Sequence, residues 1–304
     1  MQEIYNRYIN YLEAERNVSP YTVRNYTTDL LGFFNFLKTK RIDSLKEVDR
    51  HVLRGYLSHL MDEGFVKASI ARKLSAIRSF YRYLLREGVV SASPVADTSP
   101  KLDKRLPTFL TLEEIERLLN APDLSTPQGQ RDRALLELLY ASGLRVSELV
   151  SLNLEQIDLI TGEIRVRGKG SKERVTLMGK PAINALTTYL NQGRPKLLST
   201  RGSSVLFLNR YGGRFTVRSV QKTLGKYAKI ANVGKRVHPH MLRHTFATHL
   251  LDGGADLRVV QELLGHANLS STQIYTHVTK SRARKVYLAA HPMAKGKSNG
   301  VVQQ

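Results

Sequence analysis

The sequence predicts two domains: an all-α N-terminal unit over residues 1–88, then a mixed α+β, mostly helical unit with a small β-hairpin sheet over residues 107–291. Three observations carry this reading. Apolar residues recur at helical spacing through the first ninety positions. The stretch VVSASPVADTSPKLDKRLP then holds three prolines and no helical period, which marks a linker at 89–106. Further on, the β-branched runs EIRVRG and ERVTL flank GKGSK and read as a hairpin within an otherwise helical pattern. At 304 residues the chain is long enough to bury two separate cores.

Taken in order, Ile4, Tyr8, Ile9 and Leu12 form the first stripe, which breaks near Asn17. Ser19-Pro20 then supplies a capping hydroxyl and a first-turn proline whose missing N–H costs nothing. Tyr26, Leu30, Phe33, Phe34 and Leu37 line the helix that follows. A third helix spans Asp49 to Asp62, ended by Gly64. The fourth, from about Ser69, carries Ile70, Leu74, Ile77, Tyr81 and Leu84 on one side, and Arg72, Lys73, Arg78, Arg82 and Arg86 on the other. In the second domain Thr111-Leu112-Glu113-Glu114 is a capping box. RDRALLELLYASG is a strong helix stopped by Gly143, and from Pro181 the pattern is helical again, interrupted by LFLN and YGGR. Residues 292–304 are small and polar and read as a mobile tail.

Charge narrows the partners. Lys and Arg total 47 against 26 Asp and Glu, a formal net charge of +21. The excess is concentrated beyond residue 100: residues 1–100 hold 15 basic and 11 acidic side chains, the remainder 32 and 15. Such a surface favours a polyanion, because each phosphate met by Lys or Arg releases condensed counterions. Together with this charge, the basic side of the fourth helix (Arg72, Lys73, Arg78, Arg82) reads as a face for a DNA backbone; by itself it is equally a solvated helix face. FTVRSVQKTLGKYAK, at 215–229, is a second candidate for a groove. The absence of cysteine removes disulfides, thiol catalysis and thiolate zinc sites. No stretch is apolar enough to span a bilayer and the N-terminus has no signal-peptide pattern, so a cytoplasmic location without membrane contact is expected.

Five segments of the second domain gather basic and polar residues: SGLRVSEL (142–149), RGKGSK (167–172), HPHMLRHTFATHL (238–250), LLGHANLSSTQIYTH (263–277) and SRARK (281–285). They match what cutting a phosphodiester without a metal requires. Negative charge gathers on the non-bridging oxygens, which calls for fixed cations and donors. Arginine suits this because its fork binds two phosphate oxygens and keeps its charge. The leaving 5′-oxygen needs a proton from a Lys or His. A nucleophile must hold the phosphate so that the bond can be returned, and tyrosine can do so once its proton is removed. The chain supplies Arg145, Arg243, Lys169, His240, His266 and Tyr275.

Each piece alone has a plainer reading. Arg145 could cap a helix dipole, Lys169 could be a turn lysine, and Tyr275 is one of 14 tyrosines. His240 and His244 have zinc-ligand spacing, but Met-Leu-Arg between them offers no carboxylate, so no metal site is expected. Gly162 to Lys169 does not fit a phosphate loop, since five residues separate the glycines Gly162 and Gly168 and a glycine follows the lysine.

The combination is specific. GLRVSEL, then HxLRHTFATHL, then LGHxxxxxTxxYTH, together with SPYTVRNYTTDL near the start and AHP at 290–292, closely resembles the tyrosine recombinase (phage integrase) family and, over residues 1–292, its Xer type. The resemblance implies a helical, SAM-like core-binding domain and a catalytic domain that clamp double-stranded DNA. It implies that Arg145 and Arg243 hold the scissile phosphate and that Lys169 is the general acid toward the 5′-oxygen. His240 would assist proton transfer and phosphate binding, His266 would donate to a non-bridging oxygen, Glu148 would support the site, and Tyr275 would be the nucleophile that forms a 3′-phosphotyrosine. It further implies no cofactor, and a tetramer on two recombination sites, made with itself or with a paralogous Xer recombinase. A septal DNA translocase of the FtsK type is a further implied partner, and resolution of chromosome or plasmid dimers at cell division the implied task. The segment from Ser281, with Val286, Tyr287 and Leu288, would dock into a neighbouring protomer. A type IB topoisomerase-like enzyme, a DNA-binding protein with a decayed site and a mobile-element integrase are the rival readings.

Overall fold

A computed structural model describes residues 1–16, 18–95, 108–167, 173–199, 202–265 and 277–294, with the side chains at 167 and 277–282 outside that description. The chain divides into two compact units, 1–105 and 106–304.

The first unit is helical. Helix α1 (Gln2–Asn10) continues into a π-helical turn, Tyr11–Glu15. Helix α2 (Pro20–Thr39) starts on Ser19, whose hydroxyl accepts the Thr22 N–H, with Pro20 in its first turn. Helix α3 (Arg50–Asp62) is capped by the Asp49 carboxylate, and Gly64 follows it at φ 80°. Helix α4 (Lys67–Arg86) packs against α2. Their apolar stripes meet in an aromatic-rich core: Tyr8, Phe33, Tyr56, Phe80 and Tyr81 are almost wholly buried. Fully burying such rings supplies about 1.5–3 kcal/mol each. This core continues past residue 88, because Val90 and Val95 pack into it.

In the second unit α5 (Leu112–Asn120) opens with the Thr111–Glu114 capping box. Helix α6 (Pro127–Ser142) is buried on nearly every side and packs against five other helical segments, so it forms the axis of the unit. Gly143 ends it in the left-handed conformation, at φ 59°. After α7 (Val146–Ser151) comes a three-stranded antiparallel sheet in the order β1 (Ile157–Asp158), β2 (Glu163–Arg167), β3 (Glu173–Leu177). The hairpin was legible in the sequence; the two-residue β1 is too short to give a period. Pairing sets Ile164 opposite Thr176 and Val166 opposite Arg174, so these four share the inward face. Helix α8 (Lys180–Thr188) runs through a π-helical turn into α9 (Arg194–Leu197). Then follow α10 (Val217–Ile230), α11 (Pro239–Asp252), α12 (Leu257–Leu264) and α13 (His277–Ala290).

The C-terminal helix is part of the packed unit: Tyr287 is 1% exposed within this chain's own core, in one cluster with Phe246, Leu250, Val260 and Leu263. Packing continues past Pro292, where the sequence suggested a tail: Ala294 is buried, and its carbonyl accepts the Lys180 N–H. Residues 295–304 lie outside the described residues.

Candidate active site

Local structure explains how the arginines are presented. The left-handed Gly143 turns the chain off α6, and Arg145 then takes the N-cap position of α7. Glu148, one turn on, reaches back so that its Oε2 accepts the Arg145 backbone N–H at 2.8 Å while Oε1 accepts from Arg145 Nη1 at 3.0 Å. The carboxylate is buried, and its two oxygens also receive the fork of Arg174, at 2.8 Å each. Burial alone would push the Glu148 carboxyl up; the Arg174 hydrogen bonds, the Arg145 backbone N–H, the Arg174 charge and the Arg145 side-chain hydrogen bond outweigh it and hold it down at about 2.

Arg243 comes from the middle of α11. Its Nη1 donates to the Gly143 carbonyl at 2.5 Å and its Nη2 to the Leu264 carbonyl at 2.6 Å. These oxygens lie at the C-terminal ends of α6 and α12, where unpaired carbonyls and the negative end of the helix dipole favour a cation. Arg145 Nη2 points at the next carbonyl, that of Gly265, at 3.4 Å. Two guanidiniums from distant parts of the sequence thus converge on the consecutive residues Leu264 and Gly265. Burial, then the charge of Arg145, pushes the Arg243 guanidinium down to about 10. It stays charged at neutral pH, and the pair is arranged for an anion that would relieve the repulsion.

His240 lies three residues before Arg243 on α11, so both project from one face of that helix, and its side chain is exposed. His238 caps α11 through Nδ1, which accepts the Met241 N–H at 3.2 Å. His249 is buried, with Nδ1 2.9 Å from the Tyr140 hydroxyl. That pairing ties α11 to α6 and accounts for His249 structurally. No cluster of three potential ligands for a metal occurs among the described residues.

Lys169, His266 and Tyr275 lie outside the described residues; the described chain approaches them through β2 and β3, through Gly265 and through α13. Reasoning from sequence missed Arg174. The available signal was the alternation of ERVTL: period two places Arg174 on the same side as the buried Thr176, and a charged residue on the inward face of a strand needs a partner.

The basic face of α4 divides. Lys73 is buried, and its ammonium lies 3.4 Å from the wholly buried carboxylate of Asp29 on α2, which also pairs with Arg72. Lys73 therefore neutralises an internal charge; its expected place on a DNA-facing surface is corrected. Arg78 is half-buried and Arg82 exposed. Arg86 stacks on Tyr11, with its guanidinium carbon 4.1 Å from the ring centroid, and pairs with Glu87 at 3.1 Å. On α10, Arg218, Lys222, Lys226 and Lys229 are exposed, at spacings that form one basic stripe.

Comparison with known proteins completes the assignment. Residues 108–282 match the model of the phage integrase family, and residues 5–88 that of the phage integrase N-terminal SAM-like domain. The chain belongs to the phage integrase family and is a tyrosine recombinase, an enzyme that cuts and rejoins DNA site-specifically. Within that family it is of the Xer type. It is 48% identical over 298 residues to tyrosine recombinase XerC of Oceanobacillus iheyensis, covering 97% of this chain and 98% of that one. It is 43% identical over 295 residues to tyrosine recombinase XerD of Staphylococcus epidermidis, covering 97% and 100%. Among solved structures, XerH site-specific recombinase bound to palindromic difH substrate, in a post-cleavage complex, superposes with a TM-score of 0.68 at 27% identity, covering 90% of this chain and 81% of that one. No helix among the described residues is long and apolar enough to cross a membrane.

Proposed function

We propose that this chain cuts one strand of double-stranded DNA with Tyr275, forming a 3′-phosphotyrosine and freeing a 5′-hydroxyl, and that a second 5′-hydroxyl then reverses the step on a new partner strand. The bond energy stays in the phosphotyrosine, so strand joining needs no nucleotide hydrolysis. Arg145 and Arg243 hold the non-bridging oxygens, with His240 and His266 as further donors. Lys169 delivers the proton to the 5′-oxygen, and Glu148 fixes Arg145. The convergence of Arg145 and Arg243 on the backbone of Leu264 and Gly265, immediately before His266, is the observation that carries this reading. A cation pair anchored at three helix termini and sharing one short stretch of backbone is suited to an anion, and in a chain of net charge +21 that anion is a DNA phosphate.

DNA is held through Arg82 and Arg78 in the first unit and through the α10 stripe in the second, mostly on phosphates. Four protomers on two sites exchange strands, as self-assemblies or with a paralogous Xer recombinase, and the task is resolution of chromosome or plasmid dimers in the cytoplasm. An FtsK-type translocase is the partner that would couple this to division.

The test is a nicked suicide duplex carrying candidate dimer-resolution sites, incubated in EDTA with wild type or Tyr275→Phe, alone and with the paralogous recombinase. A denaturation-resistant adduct through the 3′-phosphate, with wild type only, supports the reading. Tight binding with no adduct under any condition overturns it in favour of a binding protein.

A further inference from the structure

We propose that Arg174 is a positioning residue for cleavage: it holds Arg145 on the scissile phosphate by way of Glu148, an inference that rests on the reading of Arg145 as a phosphate ligand. The geometry has three parts. First, Arg174 spends both Nη groups on the two oxygens of Glu148, at 2.8 Å each, and its Nε–H is buried with no acceptor among the described residues. The guanidinium is therefore committed to the carboxylate.

Second, Glu148 has a single buried carboxylate to serve both arginines. Without Arg174, each oxygen would lose a charge-assisted bond and the carboxylate would be free to follow Arg145 outward; the Arg145 side chain is 41% exposed and, among the described residues, has no other tether than the 3.4 Å approach to Gly265. A clamp of this kind works only if its donors are fixed before the charge develops.

Third, Arg174 lies directly against Gly265. A Cβ built on that glycine would stand 2.7 Å from Arg174 Cδ and 2.9 Å from Nε, and the glycine has φ 64°. The Arg174 side chain thus sits between Glu148 and the backbone that receives both clamp arginines. Its strand is the one that follows GKGSK in the sequence, so one residue links the β2–β3 pair, the carboxylate and the clamp.

The experiment compares wild type, Arg174→Lys and Arg174→Met in single-turnover release of the 5′-hydroxyl strand. Two duplexes are used, identical except at the scissile position: one has the natural phosphodiester, the other a methylphosphonate, whose neutral centre no longer needs an anion-holding pair. Band shifts on uncleaved duplex check that the variants fold and bind. With binding unchanged, Arg174→Met should cleave the phosphodiester on the order of 10²-fold more slowly, the scale of loss when a reacting group is held an ångström out of place. Lysine keeps the charge without the fork, so Arg174→Lys should fall between. On the methylphosphonate the gap to wild type should narrow by about tenfold or more, since the interaction that Arg174 supports is then no longer required. An equal defect on both substrates marks a purely structural role and overturns the proposal, as do wild-type rates in both variants. Absence of any wild-type adduct on the phosphodiester would instead overturn the reading of Tyr275, and this inference with it.

Discussion

Replacing Gly143 with alanine would put a methyl group on the residue that turns the chain from α6 into the clamp. Gly143 has φ 59°, and an added Cβ would stand 2.5 Å from Phe246 Cδ1 and 3.1 Å from Leu264 Cδ2. The left-handed backbone costs an L-residue about 1–2 kcal/mol. Phe246 is wholly buried and cannot swing away, so the overlap adds about 1–3 kcal/mol of overpacking. The sum is about 2–5 kcal/mol, which in a unit of this size lowers its melting temperature by roughly 4–20 °C. Gly254→Ala is the control: it shares a positive φ, 86°, but has nothing within 4 Å of the added Cβ, and should cost the backbone term alone. Calorimetry on the full chain separates the two. The Gly143 carbonyl also receives Arg243, so cleavage should fall further than stability explains. If Gly143→Ala melts no lower than Gly254→Ala, the packing argument for this corner is refuted.

Three further outcomes follow from particular contacts. Asp29→Ala would leave Lys73 buried without its carboxylate and should cost about 3–5 kcal/mol in urea unfolding of the first unit; a loss under 1 kcal/mol would show the pair to be idle. Glu148→Gln removes a carboxyl held at about 2, against an ordinary value of 4.5. Because a depressed acid contributes its stability above the ordinary value and loses it as pH falls through the folded one, urea midpoints of wild type and variant should differ at pH 7 and converge near pH 2; a constant difference would contradict the ion-pair account. Arg82→Ala should reduce the slope of log affinity against log salt by about 1, and Lys73→Met should leave it unchanged, measured on one duplex from low to high salt; a matching change in both would put Lys73 back on the surface.

Much of this was legible in the residues, and the illegible parts have physical causes. Helix starts and stops were plain because Ser19, Asp49, Thr111 and Gly143 each answer a local demand of backbone geometry or an unpaired N–H. Arg145, Glu148 and Arg243 stood out by motif, and the fold does bring these three together. What failed was inference about which partner a charge finds across the fold. Lys73 shares a helix with exposed arginines, and only the buried Asp29 on α2 shows that it faces inward. Arg174 sat inside a run read only as one arm of a hairpin, since its importance lies in meeting Glu148, 26 positions earlier in the sequence. Tyr287 on α13 has core neighbours from α11 and α12 that helical period alone does not reveal.

The central claim, that Tyr275 attacks the phosphate gripped by Arg145 and Arg243, is tested most directly by mapping the covalent mark. The adduct from the suicide duplex is digested with nuclease and then trypsin, and the peptide bearing the nucleotide remnant is sequenced by mass spectrometry. Trypsin cuts after Arg258 and Lys280, and the peptide between them contains Tyr275 as its only tyrosine. The account predicts the remnant on that residue in the wild type and on no peptide of Tyr275→Phe. A remnant on any other peptide of the wild type, or one that persists in Tyr275→Phe, would contradict it.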